Sequence, residues 1–168
     1  GTTFSVEGEG KDDEVFTELR KKLPKKGTQL NHGDYESFKA SIERTAIRHG
    51  YFDGDFVTKE LGVDAVKNQA FWTFDYDSKT RYRFGDIKFS GSQIREPILV
   101  NLLPFKEGEP YTSDDISELN RRLSATGWFN SVVVSPDIFK GRASADKTLP
   151  VYAHVTPKKE NAVEILEH

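Results

Sequence analysis

The residues of this 168-residue chain that carry the richest chemistry do not converge on a reaction. Gly8-x-Gly10 follows the strand-like run Thr3-Phe4-Ser5-Val6 and precedes a helical pattern, which is the setting of a phosphate-binding turn. The third glycine of such a turn is replaced by Asp13, and Asp12 and Glu14 flank it. These carboxylates would repel a phosphate and themselves complement the helix dipole, so the segment reads as a plain helix start. Asp53-Gly54-Asp55 opens like a calcium loop, but the alternating oxygen ligands that must follow are missing, which leaves a turn. His32, His49 and His154 fall in three different predicted elements without HxxxH or HxH spacing, so no metal site is expected. There is no Gly-x-Ser-x-Gly elbow and no carboxylate pair whose surroundings would split its pKa values. No catalytic residue and no cofactor is therefore expected.

Composition narrows the class further. A net charge of −3 supplies no basic face for nucleic acid. No apolar run reaches the roughly 18 residues of a membrane-spanning helix. Zero cysteines exclude disulfides and thiolate metal sites and fit an oxidising periplasm as well as the cytosol. Gly1 opens almost directly onto a strand, with no signal peptide, and methionine is absent; both point to a chain cut from a longer protein. Leu166-Glu167-His168 resembles the scar of a histidine tag and is left out of the fold reading.

The elements that carry these residues occur twice. Pro24 and Pro104 are 80 residues apart, Gly27 and Gly108 are 81 apart, and Gly50 and Gly127 are 77 apart. An offset that holds at both ends of a module marks a duplication. Four residues lost between the inner and outer offsets is close to one helical turn, so the second helix can shorten and keep the same face inward.

Each copy reads as strand, helix, helix, strand, strand. In the first, Phe4 and Val6 alternate in a strand. A helix is expected over Lys11 to Leu23, with Val15, Leu19 and Leu23 on one stripe, ended by Pro24. Asn31 stands as N-cap of a helix bearing Phe38, Ile42 and Ala46 and stopped by Gly50. Phe56-Val57 and Phe71 to Tyr76 are strands separated by a wandering segment from Lys59 to Gln69, with Trp72, Phe74 and Tyr76 on one face. In the second copy, Ile87 and Phe89 mark the first strand. A helix starting near Glu96 carries Ile98, Leu99, Leu102 and Leu103 to Pro104. Thr112 caps the next helix, with Ile116, Leu119 and Leu123 inward. Val132-Val133-Val134 and Val151-x-Ala153-x-Val155 form a hairpin with a long polar loop from Asp137 to Lys147. Asp77-Ser78-Lys79-Thr80 reads as a short, stiff link between copies. The aromatic pairs Tyr51-Phe52 and Trp128-Phe129 read as core staples, and Arg20-Lys21-Lys22 with Lys25-Lys26 reads as a solvated helix end. The fold class is α+β: two tandem modules, 1–80 and 81–157, each a three-stranded mixed sheet with two helices on one face.

Strand, helix, helix, strand, strand with a Gly-aromatic-aromatic step after the second helix (Gly50-Tyr51-Phe52, Gly127-Trp128-Phe129) resembles the polypeptide-transport-associated (POTRA) family. Arg81-Tyr82-Arg83-Phe84-Gly85, Gly91-Ser92-Gln93-Ile94-Arg95, Pro104-Phe105-Lys106-Glu107-Gly108 and the contiguous run from Glu118 to Val134 are more narrowly similar to the TamA family. Its members are the outer-membrane subunits of translocation and assembly modules. The likeness runs from about Phe4 to Glu164 and is weakest over Lys59 to Lys67 and Asp137 to Lys147. Pro97 departs from the acidic helix start usual in that family.

The resemblance implies the second and third of three periplasmic domains, with residues 158–165 leading into a β-barrel that is absent here. It implies no enzyme. It implies instead a docking and client-guiding part, tethered to the outer membrane, whose partners are a TamB-like inner-membrane-anchored protein, unfolded outer-membrane or autotransporter clients and its own C-terminal β-barrel. No nucleic acid is among the partners. Such modules would take an extended client segment at an open sheet edge by β-augmentation. The edge candidates are Phe56, Val57, Ser131, Val132, Val133 and Val134, in the second strand of each copy. A spacer that only sets the barrel's position, or the same domains in another outer-membrane assembly or two-partner secretion protein, are the alternatives.

Overall fold

The structure, a computed structural model, describes residues 2–25, 31–64 and 69–159. Expectations placed on Lys26, Gly27, residues 65–68 and residues 160–168 lie outside the described residues. The chain divides into two units, Gly1–Tyr82 and Arg83–His168.

In the first unit, β1 (Thr2–Glu7), α1 (Glu14–Arg20), α2 (His32–Arg48), β2 (Asp55–Asp64) and β3 (Gln69–Asp77) follow one another. β3 is central in the order β1-β3-β2, parallel to β1 and antiparallel to β2. Period-two alternation puts Trp72, Phe74 and Tyr76 on the covered face, where Phe4 and Val6 of β1 join them. α2 lays Tyr35, Phe38, Ile42 and Ala46 on that face as a single stripe. Its ends are built as the side chains dictate. Asn31 Oδ1 accepts the Asp34 N–H at 2.8 Å. Gly50, at φ 82°, lets the Tyr51 N–H turn back to the Ala46 carbonyl at 2.9 Å.

Four expectations change in this unit. The helix foreseen over Lys11 to Leu23 is a 3₁₀ turn, Glu9–Asp12, followed by α1. Asp13 breaks the run because its backbone is extended and its side chain accepts the Val15 N–H, which restarts the helix one residue later. Phe16 and Leu19 are thereby the buried pair, while Val15 and Leu23 only pack against the core. The wandering segment after Lys59 is strand as far as Asp64, because Lys59 to Gly62 pair in register with Phe74 to Phe71. Gly62 makes room there for the Phe71 ring, whose Cζ lies 2.1 Å from where a Cβ would stand. Finally, Asp77 to Thr80 is no free link. Ser78 is buried, its hydroxyl accepts the Gly10 N–H at 2.8 Å and reaches the Glu7 carbonyl at 3.1 Å, and the Tyr82 N–H donates to the Gly50 carbonyl at 2.8 Å. This segment is bonded into the first unit.

Of the foreseen cationic helix end, Arg20 is bound into the structure. Its Nε donates to the Phe4 carbonyl at 3.1 Å and its guanidinium lies 5.4 Å from the Phe4 ring. Tyr51 donates its hydroxyl to Asp13, and burial followed by that bond pushes its pKa far up.

The second unit repeats the plan with β4 (Arg83–Ser90), α3 (Glu96–Val100), α4 (Ser113–Ala125), β5 (Phe129–Pro136), α5 (Ile138–Ala143) and β6 (Thr148–Pro157). β6 is central in the order β4-β6-β5. It carries Pro150, a residue that cannot donate to a ladder; the β4 register slips between Phe84 and Ile87 at that point, so no bond is demanded of it. Thr112 Oγ1 caps α4 by accepting the Asp115 N–H at 3.1 Å, and Leu119 and Leu123 are fully buried beneath it. Phe84 stacks on Phe105 with centroids 3.8 Å apart.

Three expectations change in this unit as well. α3 has five residues, and beyond Val100 the chain continues as tight turns (Leu102 N–H to Leu99, Leu103 N–H to Val100), so of the foreseen stripe only Leu99 is buried. The polar loop after Asp137 contains α5, nucleated by Asp137 accepting the Lys140 N–H at 3.0 Å. Trp128 is half-buried rather than a core staple; Phe129 beside it is the buried member. Accordingly, Trp128→Ala is expected to cost about 1–2 kcal/mol, short of the roughly 3–5 kcal/mol of an emptied aromatic site. Urea denaturation would measure it, and a loss above about 3 kcal/mol would show the indole to be buried after all.

Candidate peptide-binding edges

Both sheets end in the strands that hold the candidate residues. Among the described residues, β2, with Phe56 and Val57, and β5, with Ser131, Val132, Val133 and Val134, each pair on one side only. The two edges differ in what they offer.

On β5 the backbone alternates in a definite phase. In an antiparallel pair the N–H and C=O of one residue point the same way, and successive residues alternate between facing the partner and facing out. Val132 stands opposite Val155. The Val155 carbonyl points toward Gly91, on the β4 side, since a Cβ on Gly91 would lie 2.1 Å from that oxygen. The Val132 carbonyl in turn receives the Asn120 side-chain amide of α4 at 3.4 Å. Both observations put Val132 in an outward-facing position, and alternation adds Val134. Ser131 and Val133 then face β6, and the Ser131 hydroxyl also bonds Thr156 Oγ1 at 2.8 Å. Val133, although 55% exposed by side chain, has its backbone committed to the ladder.

Alongside this edge runs an open trough of about 690 Å³ on α4, lined by Ile116, Ser117, Asn120, Arg121, Ser124 and Ala125. Glu118 holds Arg121 and Arg122, at 2.5 and 3.0 Å, and their hydrogen bonds keep its carboxyl down at about 2. Of the lining side chains only Arg121 is ionised, and Glu118 beside the trough pairs with it.

β2 is interrupted. Its register shifts between Phe56 and Thr58, which leaves Val57 in a bulge and removes it from the regular edge. Phe56 is turned inward, 4.9 Å from the Tyr76 ring. Beyond the bulge, Leu61 and Val63 share the face of Trp72 yet are 42% and 70% exposed.

The discounted motifs are occupied by structural bonds. Asp53 accepts the Tyr82 hydroxyl at 2.7 Å, His49 Nδ1 lies 2.9 Å from the Thr45 carbonyl, and His154 Nδ1 lies 2.8 Å from Ser90 Oγ. Among the described residues no group of three His, Asp or Glu side chains gathers to hold a metal, and no helix is long and apolar enough to cross a membrane.

Residues 82–160, nearly all of the second unit, match the POTRA family model, described as surface antigen variable number repeat. Among solved structures, the chain is similar to BamA from Haemophilus ducreyi lacking POTRA domains 1–3, with a TM-score of 0.66 at 16% identity over 94% of this chain and 29% of that one. It is also similar to POTRA domains 3–5 of BamA from Haemophilus influenzae, at 0.58 and 19% over 92% of this chain and 59% of that one. The fold matches that of tandem POTRA modules. POTRA domains 1–2 of the periplasmic domain of Omp85 from Anabaena agree in extent as well, at 0.53 and 12%, with 95% of this chain set on 94% of that one. The chain spans 29% and 59% of the two BamA structures.

Relative to the first unit, α5 is an addition to the last hairpin of the second. Asn120 is not legible in the sequence as a functional residue: it lies one position past the buried Leu119, and nothing in its type or spacing distinguishes it from any polar residue beside an apolar stripe.

Proposed function

We propose that these two modules are the periplasmic docking and client-guiding part of a TamA-like outer-membrane protein and autotransporter assembly factor, binding extended segments of clients by strand addition. The observation that carries this reading is the free edge of β5, where Val132 and Val134 present outward backbone groups beside the α4 trough. Main-chain pairing ignores side-chain identity, so one edge serves many unfolded β-rich clients. Asn120 already bonds the Val132 carbonyl, and a carbonyl has a second lone pair for an incoming N–H. The sequence likeness to the TamA family supports the barrel tether and the TamB-like partner. The role is binding, not catalysis.

Proline scanning of β5 tests it. Val132→Pro removes a donor that faces outward and leaves the β6 ladder whole, whereas Val133→Pro breaks the ladder itself. In cells whose full-length parent protein carries Val132→Pro, with the fold verified by circular dichroism, assembly of client barrels is expected to fall several-fold; variants of His32 should behave as the parent. Undiminished assembly with Val132→Pro would replace the client-guiding reading by that of a spacer.

A further inference from the structure

The two helices of the first unit leave a cleft between them. The end of α1, with the turns after it, and the first three turns of α2 line a cavity of about 270 Å³. Leu19 and Pro24 form one described wall and Phe38 the other, and the indole of Trp72, from the central strand β3 beneath both helices, forms the floor. At liquid density the space holds about nine waters, which suits a compact guest.

The floor carries an unmet demand. Trp72 is 1% exposed, and its Nε1 is a buried donor with no hydrogen-bond partner among the described residues. Buried donors are almost always satisfied, because an orphan forfeits the bond it made to water in the unfolded chain. Within the core the indole meets rings, Tyr35 at 5.9 Å and Phe74 at 6.2 Å, so the cavity is the side from which an acceptor can enter. A lone water serves badly there, since it needs roughly two to four polar partners and the floor offers one.

The remaining groups define the guest. Ser41 is spent within α2: its hydroxyl donates to the Ser37 carbonyl at 2.9 Å and accepts from Arg44 Nη2 at 3.1 Å. The buried part of the cleft therefore presents one side-chain donor and no free side-chain acceptor, which disfavours a guest that must donate, such as an ammonium or a primary amide. Lys22 and Asp34 stand at the exposed rim with opposite charges, so neither sign of ligand is drawn in. A carboxylate at the floor would give up its hydration for a single neutral donor, a net loss. What remains is an apolar body with a bare carbonyl oxygen.

We propose that this cleft is a binding site for a small neutral carbonyl compound, an ester or a ketone. Its oxygen accepts the Trp72 indole N–H while its apolar body packs on Leu19, Pro24 and Phe38. The site lies between the helices and is independent of strand addition at β5.

The test titrates the isotope-labelled full chain with methyl benzoate, propylbenzene, benzoate and benzylammonium, which share one ring and differ in the group attached to it. The chain has two tryptophans and so two indole N–H signals, and Trp128→Phe assigns the one of Trp72. Methyl benzoate is expected to move that signal downfield and to bind about fivefold tighter than propylbenzene, the usual worth of one net hydrogen bond. Benzoate and benzylammonium should bind more weakly than methyl benzoate. Trp72→Phe should bring methyl benzoate down to the affinity of propylbenzene. Ser37→Phe, at an exposed rim position that leaves the core intact, should weaken both neutral probes about tenfold, and it keeps the test alive if Trp72→Phe fails to fold. Equal affinity of methyl benzoate and propylbenzene, with the Trp72 indole signal unmoved, would overturn the carbonyl site. So would tighter binding of benzoate than of methyl benzoate, or no saturable binding of either neutral probe. None of these results would touch the reading of β5.

Discussion

Phe74→Ala is expected to destabilise the first module by about 3–5 kcal/mol, the usual penalty for emptying a fully buried phenylalanine site. Phe74 has no exposed surface and sits mid-way along the central strand β3. Its ring meets Tyr35 at 5.1 Å, Phe38 at 5.4 Å, Phe56 at 6.1 Å and Trp72 at 6.2 Å. These neighbours come from α2, β2 and β3, so the hole cannot be closed by moving one side chain; the rings around it are held by separate elements. A loss of this size approaches the whole stability of a module of about 80 residues. The described members of this core all lie between Phe4 and Tyr76. Residue-resolved NMR of the full chain in increasing urea should therefore show early loss of first-module signals, with the second module's midpoint near its parental value. A cost under about 1 kcal/mol, or both midpoints falling together, would contradict the arrangement.

That core is legible in the sequence because its signals are periodic. The aromatic rings of Trp72, Phe74 and Tyr76 repeat at every second position, and Phe38, Ile42 and Ala46 recur at helical spacing, so residue type and position both name the buried face. Asn31 and Thr112 are equally readable, because an N-cap is a local bond between a side chain and an amide three residues on. What escapes a reading of the sequence is decided by contacts between distant residues. The strand beyond Lys59 forms because β3 pairs with it, against weak local preference, and the Gly62 gap under the Phe71 ring exists only once the two strands are in register. Ser78 reads as linker, since a small polar residue between Asp and Lys carries no sign that its hydroxyl will satisfy a buried Gly10 amide 68 positions away.

The candidate edges show the same division. That β2 and β5 lie at edges follows from strand order, which the module pattern implies. Which residues of an edge are open to a partner does not, because a single-residue bulge reverses the phase. Val57 sits in such a bulge, and Val133, with its side chain in solvent, has its amide turned inward. Side-chain exposure and backbone availability are perpendicular properties of a strand, and sequence reports only the first.

Gly91 ties the second module's stability to this phase. At φ 83° it occupies backbone space that costs another residue about 1–3 kcal/mol. In addition, an alanine Cβ there would meet the Val155 carbonyl oxygen at 2.1 Å, a backbone atom of the central strand that cannot rotate away without disturbing β6. Gly127 provides the control, since it has φ 75° but open space within 4 Å of where a Cβ would stand. Gly127→Ala should therefore report the backbone cost alone, and Gly91→Ala should exceed it by about 2 kcal/mol or more, in line with overpacking against immobile atoms. Urea denaturation followed by second-module signals gives both values. Because the strain enters through Val155, directly opposite Val132, Gly91→Ala should also shift the amide signals of Val132 and Val134 while the spectrum of the first module is unchanged. Equal losses for the two alanine variants would show that β6 yields freely, and would remove the argument that its carbonyl direction fixes the open positions of β5.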